Sequence, residues 1–436
     1  MFIICISKRG AENMKAFKVK KLYDGNLGTY FDNCVVVVNG EYIEEILSLN
    51  EFETYKIYNN VDVLDYSQYY MMPGLIDCHV HLMIPGNNTL GEYIANEWSD
   101  GEINIMAYRN AMEALRHGVT SMRDCGSINY AAINVRKAIA NQNIVGPDIL
   151  SCGAPLTCTG GHCHYMGGEA DGPWEIRKKI RQQQKAGADF VKLMGTYGGT
   201  IGITKTLTFS DEELMAAVDE AHLRELKIAV HSCTFEMTDK LSKIGVNTIE
   251  HAVMCPSDCS KNILDEETAK RMASKNIYAT YTICCVKGEI HRLEKLIKSN
   301  LATDSDKKAY ESNVNYDNLV NESFRFQMER NVPYVIGTDA GWRAADFKSS
   351  FYDNLCVMQD DGAKSIDLIH ASTLRGAKAL GIDSKTGSIE KNKYADILLL
   401  KKDPADSMAE AIKNPDVVIK KGNFVVERAL NLMLNY

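Results

Sequence analysis

The sequence predicts an α/β protein in which a (β/α)8 TIM-type barrel carries a small β-sandwich domain built from both chain termini. Three observations support this fold class. The middle of the chain alternates short apolar runs with helix-like segments, at intervals of very roughly 30 to 40 residues. Both ends are instead rich in short β-type runs broken by turn residues. The length of 436 residues accommodates both units. We predict the sandwich over residues 14–72 and 383–436, and the barrel over residues 73–382.

The two chain ends share one style of sequence. After residues 1–13, which we interpret as a loose arm, β-type runs alternate with turn signals such as Asn39-Gly40, which follows residues 34–38. Residues 395–400 and 417–426 repeat this style near the C-terminus. Two β-rich ends that flank a different middle predict one domain made from both termini.

Eight apolar runs in the middle of the chain predict the barrel strands. Helix-like segments separate them, and in one of these Ser210 is predicted to cap a helix with Glu213 three residues later. In a (β/α)8 barrel the active site lies at the C-terminal ends of the strands, so we expect functional side chains where the runs stop. The runs cover residues 74–81, 118–124, 148–152, 190–194, 227–231, 248–251, 277–280 and 334–339.

Composition and charge exclude several classes of protein. The chain is 45% hydrophobic and 24% charged, which is typical of a soluble globular protein. The net charge of -8 and the lack of a basic block argue against a nucleic-acid partner. No apolar stretch of about 18 residues and no secretory leader is found, so we expect no membrane association and a cytoplasmic location. The odd count of 13 cysteines without a C-x-x-C pair favours reduced thiols over a zinc cluster at Cys255 and Cys259.

The residues that end the predicted strands are of metal-ligand type. The first two lie two positions apart on one strand and therefore share a face. A buried structural histidine or aspartate explains each residue singly, and an H-x-H pair alone is a weak signal. Five such residues around one barrel mouth, in a chain with only 10 histidines, instead favour a metal site of the kind zinc and its neighbours take. They are His79, His81, His231, His251 and Asp339.

Lys192 is anomalous because it lies inside the apolar run of residues 190–194. A protonated amine buried there would cost several kcal/mol, and metal cations nearby would raise that cost. An amine modified to carry negative charge would remove the conflict and would bridge two metals. The alternative is a lysine that extends from the strand end into solvent.

These residues, in this order, resemble the amidohydrolase superfamily. The stretch from Met72 to His81, the motif at residues 337–341 and the tail at residues 387–397 also resemble it, and the resemblance covers nearly everything from Met14 to the C-terminus. It implies a barrel with a terminal β-sandwich, and two divalent metal ions of zinc type bridged by a carboxylated Lys192. It also implies a hydroxide between the ions as the nucleophile. In that arrangement one metal is held by His79, His81 and Asp339, and the other by His231 and His251.

Loops after two strands resemble one branch of the superfamily. Residues 159–162, together with residues 192–194 and the later Gly198 and Gly199, are similar to the Xaa-Pro dipeptidases and carboxypeptidases, near the imidazolonepropionases. Substrate-contacting groups in that branch come from these loops. The sequence departs from the pattern at Tyr197, which is interposed where Thr-Gly-Gly is expected.

Four donors in the loops that follow predicted strands are candidates for holding a substrate carboxylate: His162, His164, Tyr197 and Arg343. His162 or Tyr197 would also steady the carbonyl oxygen. The histidine pair is alternatively a second metal site or two plain loop residues, and Tyr197 and Arg343 are alternatively packing or surface residues. We interpret four histidines in helix-like contexts as non-ligands: His117, His222, His291 and His370.

The sequence thus predicts a binuclear metal-dependent hydrolase of C–N amide bonds, such as a dipeptidase, carboxypeptidase or N-acyl amino acid hydrolase. Asp339 would act as general base and then as general acid. The alternatives are a mononuclear deaminase or imidazolone-type ring hydrolase, and a non-catalytic assembly protein of the same fold. We expect a small amide or peptide substrate and leave the oligomeric state open, with a homo-oligomer among the options. Two, one or no metals per chain would separate the three interpretations.

Overall fold

The computed structural model of the protein describes residues 14–197, 207–428 and 432–433. The predicted arm at residues 1–13 and the Gly198-Gly199 pair lie outside these residues. The described chain has an α/β fold, as predicted. Its strands are β1 (Met14–Tyr23), β2 (Tyr30–Asn39), β3 (Tyr42–Ser48), β4 (Val61–Pro73), β5 (Leu75–Val80), β6 (Val119–Asp124), β7 (Asp148–Ser151), β8 (Phe190–Met194), β9 (Lys227–His231), β10 (Thr248–Glu250), β11 (Tyr278–Tyr281), β12 (Tyr334–Ile336), β13 (Ile397–Leu400), β14 (Val417–Lys420), β15 (Asn423–Glu427) and β16 (Leu432–Met433).

The helices lie mostly between the central strands. Ser210 forms a capping box with Glu213 at the start of one of them, as the sequence predicts. The helices are α1 (Leu49–Tyr58), α2 (Gly91–Glu97), α3 (Asp100–Arg116), α4 (Ala131–Ala140), α5 (Gly172–Ala186), α6 (Asp211–Leu223), α7 (Phe235–Ile244), α8 (Glu266–Ser274), α9 (Cys284–Lys298), α10 (Asp304–Glu329), α11 (Ser350–Asp360), α12 (Ser365–Ala371), α13 (Leu374–Leu380) and α14 (Met408–Ile412). Within the described ranges, none of the helices combines the length and the apolar character that a membrane crossing requires.

Both chain ends form one mixed sheet, in the order β16-β15-β14-β13-β4-β1-β2-β3. β1 runs parallel to β4, and β13 joins β4 antiparallel with Ile397 opposite Pro73. This pairing connects the C-terminal strands to the N-terminal ones, as predicted. Successive side chains point to opposite faces, so Phe17 packs in one apolar cluster while Ala16 packs in another with Phe52 of α1.

The eight central strands coincide with the eight predicted runs. They pair in parallel in two hydrogen-bonded sheets, β5-β6-β7 and β8-β9-β10-β11-β12. The sheets meet through two parallel bridges, Leu156 with Leu193 and Val80 with Ala340. Because every pairing is parallel, the C-terminal ends of β5, β8, β9, β10 and β12 gather the predicted ligand residues on one side.

A buried ion network joins the terminal sheet to the central strands. Lys420 Nζ of β14 lies 2.8 Å from a carboxylate oxygen of Asp396 and 2.8 Å from one of Asp148. Lys421 Nζ lies 2.9 Å from the other oxygen of Asp148. Asp148 is the first residue of β7, so the network lies at the N-terminal ends of the central strands, opposite the side that bears the predicted ligands.

Candidate metal centre

The structure brings the predicted histidine ligands together. His79 on β5 lies with its ring centroid 5.5 Å from that of His81 and 5.2 Å from that of His251. The rings of His231 and His251 are 4.5 Å apart. His162, from the loop after β7, adds a fifth ring at 4.8 Å from His231. Residues from four parts of the chain thus form one imidazole cluster.

One group of three donors has the geometry of a metal site. A ligand atom from each of His79, His81 and Asp339 lies within 4.8 Å of the others. The Nε2 atoms of His79 and His81 are 3.5 Å and 3.4 Å from Asp339 Oδ1. Ligands about 2.0–2.2 Å from a tetrahedral zinc ion are separated by about 3.3–3.6 Å, so these three donors need little movement to hold one ion.

A second group forms beside it from His231, His251 and Cys233, with one donor atom of each within 4.8 Å of the others. The two histidines were predicted as ligands, whereas Cys233 was not singled out. Its position two residues after His231 was the available signal, because residues two apart on an extended segment share a face.

Lys192 lies on β8 and is buried, with 1% of its surface exposed. Its Nζ atom has no hydrogen-bond partner among the described residues. The alternative of a lysine that extends into solvent is therefore wrong. Burial is the main cause that lowers the pKa of the five clustered histidines, and the charge of this amine adds to it: His79, His81, His162, His231 and His251.

The imidazoles are in the form that metal binding needs. Burial, followed by the charge of Lys192, lowers the pKa of His81 to about 4 and of His251 to about 3. Burial also lowers the pKa of His79 and His231 well below the ordinary value. At neutral pH these rings are neutral and each keeps a nitrogen lone pair for a metal.

Oxygen atoms at the Nδ1 positions orient three of the rings. His79 Nδ1 lies 2.7 Å from Glu250 Oε2, His81 Nδ1 lies 3.2 Å from the carbonyl oxygen of Gly126, and His251 Nδ1 lies 2.6 Å from Thr282 Oγ1. An Nδ1–H that donates to such an oxygen leaves Nε2 free for a metal, which is the usual arrangement of metal-binding histidines.

A buried network behind the first group was missed by the sequence analysis. Arg123 donates through Nη2 to Glu250 Oε1 at 2.6 Å and through Nε to the carbonyl oxygen of Cys78 at 2.6 Å. Although burial opposes it, Arg123 holds the pKa of Glu250 well below its ordinary value, so Glu250 is an ionised acceptor for His79. The available signal was charge inside the predicted strand runs, where an unpaired arginine or glutamate would be costly.

Backbone geometry at the strand ends also shapes the site. Asp339 has φ 56° and His251 has φ 68°, in the left-handed region that non-glycine residues rarely adopt. Such strain concentrates where the surrounding structure fixes a functional side chain. Gly337 allows the close approach of β12 to β5, because a Cβ atom there would lie 2.8 Å from His79 Cβ.

The four predicted substrate-binding residues occupy different surroundings. His162 is buried beside the cluster, and its Nδ1 has no hydrogen-bond partner among the described residues. His164 is exposed, with Nδ1 3.1 Å from the carbonyl oxygen of Gly161. The hydroxyl of Tyr197 is 3.6 Å from Cys158 Sγ, and Arg343 Nη1 is 3.3 Å from Asn313 Oδ1 of α10. The structure therefore brings only His162 into ring contact with the ligands.

Trp342 is an aromatic neighbour of the centre that the sequence analysis missed. Its ring centroid is 5.7 Å from that of His162, at an interplanar angle of 84°, and 6.5 Å from that of His81. It follows Asp339 by three residues, in the loop that carries Arg343. An aromatic ring there supplies an apolar wall beside polar ligands, which is typical of a small-molecule site.

The histidines interpreted as non-ligands lie elsewhere. His117 and His370 have Nδ1 at 2.9 Å and 2.8 Å from the carbonyl oxygens of Glu113 and Gly25. His222 and His291 are exposed on helices.

Comparison with known proteins identifies the family. The sequence profile of the amidohydrolase family matches residues 70–425. Ochratoxinase of Aspergillus niger is 26% identical over an alignment of 379 residues, covering 78% of this chain and 71% of ochratoxinase. An uncharacterized protein of Mycobacterium tuberculosis is 23% identical over 356 residues, covering 81% of this chain and 84% of that protein.

Solved structures agree with this assignment. A Xaa-Pro dipeptidase with methionine bound in the active site superposes with a TM-score of 0.80 at 25% identity, covering 94% of this chain and 99% of that chain. The A. niger ochratoxinase structure superposes with a TM-score of 0.78 at 22% identity, covering 95% and 96%. The chain belongs to the amidohydrolase family, which is metal-dependent, and is a hydrolase that acts on C–N bonds.

Proposed function

Because the chain is a metal-dependent amidohydrolase, we propose that it uses two metal ions to hydrolyse the amide bond of a dipeptide or an N-acyl amino acid. The observation that carries this proposal is Lys192, a buried amine without a hydrogen-bond partner among the described residues and next to neutral imidazoles. Carboxylation of the amine would replace its positive charge with a negative one and would provide two oxygen donors. Metal cations on either side would then stabilise the negatively charged carbamate, whereas an ammonium would repel them.

The proposed ligand sets follow the two donor groups. His79, His81 and Asp339 would hold one ion, while His231 and His251 would hold the other, with the carboxylated Lys192 between them. Nitrogen and oxygen donors of this kind suit zinc, which we propose as the metal, although other first-row divalent ions accept the same donors.

We also propose that the eight central strands close into a single (β/α)8 barrel over residues 73–382. The small β-sandwich domain would comprise residues 14–72 and 383–436. The bridges at Leu156 and Val80, which connect the two parallel sheets, support the closed arrangement. In such a barrel the ligand-bearing strand ends form the mouth, which gives a substrate access to the metal centre.

Bound ions would lower the pKa of a water molecule and polarise the substrate carbonyl, each worth several kcal/mol of transition-state stabilisation. The chain's own residues would handle the proton. The carboxylate of Asp339 would accept the proton of the attacking water as general base. It would then donate that proton to the nitrogen of the leaving amine as the C–N bond breaks.

His162 would steady the carbonyl oxygen of the substrate. Its ring is 4.8 Å from His231, and its Nδ1 has no partner among the described residues. Tyr197 is the alternative donor for this role. Its hydroxyl contacts Cys158 Sγ at 3.6 Å, so the structure supports Tyr197 less directly than it supports His162. A free carboxylate on the substrate would be held by some combination of His162, His164, Tyr197 and Arg343, because guanidinium, imidazole and phenol groups all donate to an anion.

Metal analysis and a substrate screen on one purified sample test the proposal. We expect two metal ions per chain and hydrolysis within a library of dipeptides, N-acyl amino acids and lactams. Amidation of the substrate's C-terminus should lower kcat/KM by about 10-fold or more, about 1.4 kcal/mol per decade. One metal per chain with turnover of ring amides would instead favour an imidazolone-type hydrolase or a deaminase, and a metal-free chain would favour an assembly protein.

Asp339→Asn separates metal binding from proton transfer. The amide oxygen still coordinates, so much of the metal should stay bound, while most turnover should be lost because the amide cannot carry the proton. Turnover equal to that of the unmodified chain would overturn the assignment of Asp339 as general base.

A further inference from the structure

Cys233 lies in the second donor group beside two proposed ligands. Its Sγ atom is 3.3 Å from Nε2 of His231, and one donor atom of His251 completes a set within 4.8 Å. The thiol is buried, with 6% of the residue exposed. The ligand sets proposed above leave it unused.

The separation of sulfur and nitrogen matches two ligands of one ion. With zinc–nitrogen bonds of about 2.0–2.1 Å and zinc–sulfur bonds of about 2.3 Å, tetrahedral geometry separates the two donors by about 3.5 Å. The observed 3.3 Å between Cys233 Sγ and His231 Nε2 is close to that value. The buried amine of Lys192, whose charge acts on the same histidines, has no hydrogen-bond partner among the described residues, which independently points to a charged ligand at this site.

The chain fixes the position of Cys233 from several sides. Its backbone N–H donates to Thr196 Oγ1 at 3.1 Å, and Cys255 Sγ donates to its carbonyl oxygen at 3.6 Å. The hydroxyl of Tyr316 of α10 contacts the Cys233 thiol. A protonated phenol donates a hydrogen bond to a thiolate, and metal-bound sulfur is commonly oriented by such donors.

A third donor group at the other side of the centre, formed by His79, Cys125 and Glu250, does not carry a similar inference. Glu250 is paired with Arg123 at 2.6 Å, and its other oxygen is 2.7 Å from His79 Nδ1. These contacts already satisfy the carboxylate as a support for His79. Cys233, by contrast, faces a histidine nitrogen at ligand distance.

We propose that Cys233 binds the second metal ion through Sγ, together with His231 and His251. On binding, the S–H bond breaks, the proton passes to solvent, and a sulfur–metal bond forms without any change of oxidation state. This inference rests on the proposed two-metal function, but adds a ligand to it. The first position would then have nitrogen and oxygen donors, and the second would include a thiolate.

The two positions should differ in the metal ions that they prefer, because only the second has a sulfur ligand. A thiolate is a soft ligand that favours zinc, cobalt or cadmium over manganese and magnesium. The second position should therefore bind zinc and cobalt more tightly than it binds manganese. The first position, without sulfur, should discriminate less.

Cobalt(II) is the probe that tests this ligand. The metal-free full chain loaded with two equivalents of cobalt(II) should show a sulfur-to-cobalt charge-transfer absorption in the near ultraviolet. Cys233→Ser should lose that absorption and bind one of the two cobalt ions at least about 10-fold more weakly, the size of effect seen even when groups that support a ligand are removed. Cys34→Ser is the matched control, because Cys34 is a buried thiol in the terminal sheet, and it should keep both absorption and affinity.

Cys233→Asp provides a second variant in case the serine variant folds poorly. A carboxylate still coordinates, so this variant should bind two cobalt ions without the charge-transfer absorption. Absorption that persists in either variant would overturn the inference, as would its absence from the unmodified chain at two cobalt ions per chain. The latter result would leave the two-metal function intact, whereas failure of the unmodified chain to bind metal would contradict the proposed function itself.

Discussion

Two lysines are buried in the part of the chain that the structure describes, and their surroundings differ. Lys420, at the junction of the terminal sheet with the central strands, is 5% exposed and contacts the carboxylates of Asp396 and Asp148 at 2.8 Å each. Lys192, at the C-terminal ends of the central strands, is 1% exposed, and its amine has no hydrogen-bond partner among the described residues. One buried amine is thus fully paired, while the other is left unsatisfied.

The difference distinguishes Lys420, whose charge stabilises the fold, from Lys192, whose amine we propose to be modified. Although burial opposes it, the two carboxylates raise the pKa of Lys420, so that amine stays charged and holds two parts of the fold together. An unsatisfied buried polar group costs about 1–3 kcal/mol. At Lys192 this cost would be offset when carboxylation and metal binding satisfy the amine, as proposed above.

The largest expected effect is from Lys192→Ala. Without a bridging group the two ions should bind weakly, and the rate of hydrolysis should fall by about 10³-fold or more. Metal ions contribute several kcal/mol of transition-state stabilisation, and each loss of about 1.4 kcal/mol lowers the rate tenfold. Metal analysis and steady-state kinetics measure the two losses. Partial recovery on addition of short-chain carboxylic acids would support the bridging role. An alanine variant with full metal and normal turnover would show that Lys192 resembles Lys420 in being structural.

Methionine at each lysine should give opposite changes in stability. Lys420→Met leaves the buried carboxylate of Asp396 without a counter-charge, whereas Asp148 keeps its ion pair with Lys421, so the free energy of unfolding should drop by about 3–5 kcal/mol while metal content stays normal. Lys192→Met in the metal-free protein removes an unsatisfied amine, so stability should rise by about 1–3 kcal/mol. Urea unfolding of the two metal-free variants beside the unmodified chain measures both. Two changes of the same sign would remove the distinction between the lysines.

Glu250→Gln tests whether the paired network at the centre supports the ligands. Gln still accepts from His79 Nδ1, but it loses the ion pair with Arg123 at 2.6 Å. Loss of a group that orients a metal ligand typically costs about 10- to 100-fold in metal affinity or activity, and we expect that range here. Competitive chelator titration gives the affinity. Asp396→Asn, in the Lys420 network, is the control and should leave metal affinity unchanged.

The smallest expected effect is the difference between the two methionine variants in the pH dependence of stability. In the folded metal-free chain the pKa of His81 is about 4 and those of His162 and His251 are about 3, against about 6.5 when unfolded. Between pH 6.5 and 4 the unfolded chain binds protons that the folded chain does not, so stability should fall as pH falls. Thermal unfolding across this range measures the slope. Lys192→Met should make the slope shallower because the charge of Lys192 helps to lower these pKa values, whereas Lys420→Met should leave it as it is.

The sequence by itself determined the order of the elements and the types of ligand. The eight apolar runs became β5 to β12, because a short apolar run between polar segments is stable mainly as a buried strand. The capping box at Ser210 and the terminal sheet built from both ends were also predictable from local pattern. His79 and His81 share a face through their spacing alone, and the strand ends indicated where His231, His251 and Asp339 would meet.

Only the tertiary structure shows which side chains support the ligands of the candidate metal centre, which contact it and which lie away from it. Glu250 meets Arg123 across 127 positions of sequence, and no local pattern reveals such a pair. The structure also turned His164 to solvent and placed Cys233 beside His231 Nε2. Spacing determines the face on which a residue lies, but the partners on that face come from strands far apart in the chain. The lack of a partner at Lys192 is likewise a property of the packed interior, because satisfaction of a buried group depends on every element that surrounds it.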